Sequence, residues 1–171
     1  MAAGATYEPI ATTTLGSAQA SVTFSSISGS YTDLVLVGNL GSASAYFANI
    51  RFNSDTGSNY SVTDLYGTGS SAGSARASNR SVGDIDFDVN LPSDVSSNFI
   101  ANIMNYSNST TYKTTLTRMN NAANGVSASV VLWRNTNAIT SITILSASSN
   151  GANTANIASG STFTLYGIAA A

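Results

Sequence analysis

Apolar and polar residues alternate along most of this chain with a period of two. Ala20, Val22 and Phe24 alternate with Gln19, Ser21 and Thr23, the signature of a half-buried strand. Asp33 to Leu40 sets Leu34, Leu36 and Leu40 on one side and Val35 and Val37 on the other, which predicts a strand covered on both faces. In Ala45 to Asn53, Tyr46, Ala48, Ile50 and Phe52 oppose Phe47, Asn49, Arg51 and Asn53, one dry face against a wetter one. The same reading applies to Asp84–Asn90, Asn98–Tyr106, Tyr112–Met119, Val126–Arg134, Ile139–Leu145 and Ser161–Ile168. Within Val126–Arg134 the alternation assigns Val126, Ala128, Val130 and Leu132 to the core and turns Ser127, Ser129, Val131 and Trp133 outward.

Turn-forming clusters separate these runs: Ser-Asp-Thr-Gly at 54–57, Tyr-Ser-Asn-Ser at 106–109, Asn-Asn-Ala-Ala-Asn-Gly at 120–125 and Ser-Asn-Gly at 149–151. About nine closely spaced strands and no helical period predict an all-β fold, an antiparallel two-sheet β-sandwich of jelly-roll type. Residues 1–18 are too weakly periodic for a strand and read as an N-terminal arm, with residues 19–171 as the single sandwich domain. Residues 67–81, rich in Gly and Ser, read as a long loop carrying Arg76 and Arg80.

Composition narrows the chemistry. The chain has 171 residues, of which 8% are charged, where about 25% is usual, and 67 are Ser, Thr or Asn. Histidine and cysteine are absent, so no Ser-His-Asp or Cys-His system, no disulfide and no zinc site on nitrogen or sulfur ligands is available. A net charge of −2 with six basic residues provides no field for nucleic acid, and no apolar run approaches a membrane span. Residues 1–10 lack the features of a secretory signal, which points to synthesis in a cytoplasm. So few charges also mean weak mutual repulsion, and hydroxyl and amide surfaces bury without the desolvation of ion pairs, which favours association between subunits.

Asp84, Asp86 and Asp88 form the sharpest polar constellation, sharing one strand face opposite Ile85, Phe87 and Val89. Oxygen ligands of this kind hold calcium or act as paired carboxylates, but the alternation places them where solvent is expected. Asn53, Asp55, Gly57 and Asn59 have the spacing of a calcium loop without its closing glutamate, and read as a turn. Gly67, Gly69 and Gly73 lack the spacing and the following helix of a phosphate cradle. With Glu8 and seven aspartates as the only acids, and no cleft apparent, no catalytic, cofactor or metal residue is assigned.

Several segments together resemble a known group. Tyr7-Glu8-Pro9-Ile10-Ala11-Thr12-Thr13-Thr14-Leu15, Tyr31-Thr32-Asp33-Leu34-Val35-Leu36-Val37, Arg51-Phe52-Asn53, Leu132-Trp133-Arg134 and Gly160-Ser161-Thr162-Phe163-Thr164-Leu165-Tyr166-Gly167-Ile168 are similar to small virion structural proteins of tailed bacteriophages, particularly those of cyanobacteria and marine bacteria. The resemblance implies a non-enzymatic, trimeric, β-rich protein on the virion exterior. Two placements follow from it: a capsid decoration or cement protein bridging major capsid protein subunits, or a tail component contacting host glycans. A single domain without heptads or β-helix repeats favours decoration. The expected interface draws on the arm (Tyr7, Pro9, Ile10, Leu15), the two loop arginines (Arg76, Arg80) and Trp133.

Overall fold

The computed structural model describes residues 6–42, 46–86, 91, 96–148, 150–152 and 154–169. Among these there is no helix. The strands are β1 (Tyr7–Thr14), β2 (Ser21–Phe24), β3 (Asp33–Leu40), β4 (Phe47–Phe52), β5 (Tyr60–Gly67), β6 (Ala72–Arg80), β7 (Gly83–Asp84), β8 (Ser97–Met104), β9 (Lys113–Asn121), β10 (Gly125–Trp133), β11 (Ile142–Ala147), β12 (Thr154–Ala155) and β13 (Thr162–Ile168). Every pairing is antiparallel.

The strands form two layers. A large sheet runs β1-β13-β3-β8-β9-β10-β5-β6, and a smaller one runs β12-β11-β4-β7 with β2 also on β11. The all-β, two-sheet expectation is met. The strand order shows the two-sheet sandwich and does not show the jelly-roll type.

Between the layers lies one core. Leu34, Leu36, Phe99, Ala101, Ile103, Phe163 and Leu165 of the large sheet meet Val22, Phe24, Ile50, Phe52, Ile142 and Ile144 of the small one. At one end Trp133 stacks on Tyr60 with ring centroids 6.4 Å apart and lies 5.6 Å from Phe52. Tyr60 Oη accepts the Phe52 amide at 2.8 Å, tying the two sheets together. Burial raises the Tyr60 phenol well above its ordinary range.

Four expectations change. Residues 7–14 are a strand, paired with β13 at the sheet edge; the weak period reflects an edge strand with little to bury. Residues 67–81 are largely β6 and its hairpin, with Gly69 at φ +83° in the turn. Val37 is exposed, so β3 is covered fully on its inner side only. On β10 the faces are reversed: Ser127, Ser129, Val131 and Trp133 point inward, and Val126 and Val130 are exposed.

The reversal has a physical cause. Ser129 Oγ donates to Asp64 Oδ1 at 2.5 Å, and Ser127 Oγ to Asp86 Oδ1 at 3.5 Å. Buried partners make an inward serine tolerable, while the largest side chain of the strand, Trp133, takes the core position. Counting apolar residues weighs neither effect.

Candidate functional site

With the core facing the small sheet, the other face of the eight-stranded sheet is open. Strand register gathers its outward side chains into transverse rows. A central row runs Val37, Ile100, Arg118, Ala128, Leu65 from β3 to β5. Asn39, Asn98, Asn120 and Val126 lie on one side of it, and Val35, Asn102, Leu116 and Val130 on the other. Leu65 is 63% exposed, Val126 56% and Leu116 46%, values that large aliphatic side chains reach singly on most proteins and here reach as neighbours.

The face is shaped as well as apolar. The central and amide rows line a groove of about 850 Å³. A smaller hollow of about 390 Å³ continues from it past Leu116 and Val130. Asn39 Nδ2 donates to Asn98 Oδ1 at 2.7 Å across β3 and β8. Arg118 stands in the middle, exposed, with no hydrogen bond or ion pair among the described residues. Among the described residues no Asp or Glu lines the groove.

The residues expected at an interface do not come together. Tyr7 and Pro9 are exposed on β1, where Tyr7 packs edge-on against Tyr166. Ile10 is half-buried, and Leu15 is buried in the core. Arg76 is exposed on β6, at the opposite edge of the sheet from β1, which is seven strand spacings or roughly 34 Å away. Arg80 is held by Asp84, its Nη2 3.4 Å from Oδ2. Trp133 is wholly buried, and its Nε1 donates to Asp55 Oδ2 at 2.7 Å. Leu15 and Trp133 therefore serve the core rather than a surface.

The aspartate reading also changes. Asp84 and Asp86 are fully buried rather than solvated, and Asp88 lies outside the described residues. The pairing of β7 with β4 puts Asp84 beside Asn49, on the side of the small sheet opposite Gly83 and Ile50. Asn49 Nδ2 donates to Asp84 Oδ1 at 2.6 Å. Burial pushes the Asp84 carboxyl up to about 8; Asp86 and Asp64 add to the rise, and Arg80 and Asn49 oppose it. Among the described residues no group of three acidic side chains is placed to hold a metal ion.

The turn expected at 53–59 is present, and Asp55 organises it. Its carboxylate accepts the Gly57 amide at 2.8 Å and Asn59 Nδ2 at 2.9 Å in addition to Trp133. Desolvation works to raise this carboxyl, but those hydrogen bonds and the nearby Arg51 outweigh it and hold the group below its ordinary range.

No protein-family model and no curated protein sequence matches this chain. The open face was missed in the sequence because β9 and β10 carry apolar residues in both alternating sets. That doubling, Leu116 with Met119 and Val130 with Val131, was the available signal.

Proposed function

We propose that the chain is a non-enzymatic structural subunit on the exterior of a tailed-phage particle, a capsid decoration protein that grips major capsid protein through the open face of its large sheet. The supporting observation is that face: a contiguous set of exposed aliphatic side chains on a rigid antiparallel sheet, in a chain with 8% charged residues. Burying such a surface favours association, and only the surplus over the freedom lost on binding appears as affinity. Modest affinity per subunit, multiplied by trimer formation and by the symmetry of a shell, gives tight attachment without a single strong site.

The test adds purified protein to shells assembled from the major capsid protein alone. Wild-type chain is expected to co-sediment at several hundred copies per shell, and the L116D/V130D double variant at less than a tenth of that. Equal retention of the two proteins would refute the docking face. A few dozen copies per mature virion would refute the shell placement.

A second reading, a tail component that contacts glycans on the host surface, draws support from the groove, whose amides and aliphatic walls suit sugar hydroxyls and C–H faces.

A further inference from the structure

The groove on the large sheet has a polarity that the rest of the open face lacks. Arg118 projects from the middle strand of the five that form the central row, flanked across the sheet by Ile100 on β8 and Ala128 on β10. It is exposed and makes no hydrogen bond or ion pair among the described residues. Among the described residues the groove supplies it with no carboxylate. A guanidinium is a planar fork of donors matched to a carboxylate, and this one stands against aliphatic neighbours with its charge unanswered.

One row away, the cross-strand neighbours Asn39, Asn98 and Asn120 place three amides in a line. The bond from Asn39 Nδ2 to Asn98 Oδ1 fixes the first two relative to each other. It leaves the Asn39 oxygen as an acceptor and the Asn98 nitrogen as a donor. A donor and an acceptor held side by side are the complement of neighbouring sugar hydroxyls. Val37, Ile100, Leu65 and Val126 provide apolar surface for the C–H faces of the rings. At about 850 Å³ the groove falls within the range of ligand sites, and the hollow beyond it lets a chain-like ligand continue.

Other occupants fit less well. A second copy stacked on this face about a twofold through the groove would set Arg118 against Arg118, a like-charge juxtaposition that disfavours the pairing. Nucleic acid needs a track of cations, and among the described residues the groove has one.

We propose that this groove binds a carboxylate-bearing oligosaccharide, with Arg118 engaging the carboxylate and the Asn39–Asn98–Asn120 row engaging ring hydroxyls. The inference rests on the second reading above, in which this face is turned to the host surface rather than to the shell, and it names the class of glycan.

Isothermal titration of the full chain tests it with tetragalacturonate and sialyllactose as acidic probes, the methyl ester of tetragalacturonate, and neutral maltotetraose. At least one acidic probe is expected to bind. Its affinity should fall at least tenfold in R118M, which keeps the apolar stem, and in N98D, which adds a repelling charge beside the site. R76M, outside the groove on β6, should bind as wild type. All three positions are solvent-facing, so circular dichroism and melting temperature are expected to be unchanged. Methyl esterification should weaken binding at least tenfold.

Binding of the ester or of maltotetraose as tightly as the acid, or full affinity in R118M, would overturn the acidic class while leaving the glycan reading standing. Failure of every probe to bind would overturn this inference and remove the support for that reading. Heat signals explained by reversible self-association of the chain would overturn it in favour of a second copy.

Discussion

At the scale of single residues, the molecule is organised by a few buried polar groups in an almost uncharged chain. Asp84 is strongly perturbed. Its carboxyl sits at about 8 when folded against an ordinary 3.8, so between these values the folded state binds a proton that the unfolded chain has released. Stability contributed by this group is therefore greatest below about pH 4 and declines as pH rises toward 8. Asp55 works in the opposite sense, since its folded carboxyl is held below 3.8: its contribution is present above that value and is lost in stronger acid. The expected outcome is a melting temperature that falls between pH 5 and pH 9, with the slope largely abolished in Asp84→Asn. An unchanged slope in that variant would assign the pH dependence to another group.

At the scale of elements, the large sheet has two edges, and each is protected differently. On β1 the register shifts between Pro9 and Ala11, and Pro9 has no amide hydrogen to offer another strand. On β6 the register shifts opposite Tyr60 and Val62, and Arg76 adds an exposed charge. Most of β1 is exposed, so its removal costs pairing rather than core burial. Deleting residues 1–14 should leave near-ultraviolet circular dichroism intact and lower the melting temperature by about 2–8 °C, the range expected for 1–2 kcal/mol in a domain this size. It should also introduce concentration-dependent association through the bared edge of β13. Loss of the cooperative transition would show instead that β1 is integral to the fold. The cut stops at 14 because Leu15 is buried in the core.

At the scale of the whole molecule, the sandwich is asymmetric. One face of the large sheet seals the core and the other leaves Leu65, Leu116, Val126 and Val130 in solvent. A chain with a net charge of −2 has little electrostatic repulsion to oppose contact through that face. The exposed aliphatic side chains are expected to bind an apolar fluorescent dye, with the fluorescence at least halved in L116D/V130D. If both proteins bound the dye equally, another surface would have to be responsible.

Much of the fold was legible in the chain. Alternation located β2, β3, β4, β8, β9, β10, β11 and β13 to within a few residues, because an antiparallel strand with one buried side repeats every second residue. The turn at 53–59 was legible for a similar reason, since Asp and Gly act on backbone within a few residues of themselves. The strands β1, β5 and β6 were not: β1 and β6 lie at the sheet edges and bury little, and β5 sets Asp64 on its buried side among Tyr60 and Val62.

Sequence alone determined the all-β class, the antiparallel layers, and the absence of histidine and cysteine chemistry, because period and composition are properties of the chain itself. Only the tertiary structure decided which side of β10 faces inward, that Asp84 and Asp86 are buried, and that Arg118 and three asparagines line one groove. Those outcomes depend on partners distant in the chain: Asp64 for Ser129, Phe52 and Tyr60 for Trp133, and Asn49 for Asp84. A local pattern fixes the spacing of side chains but carries no record of what will stand opposite them.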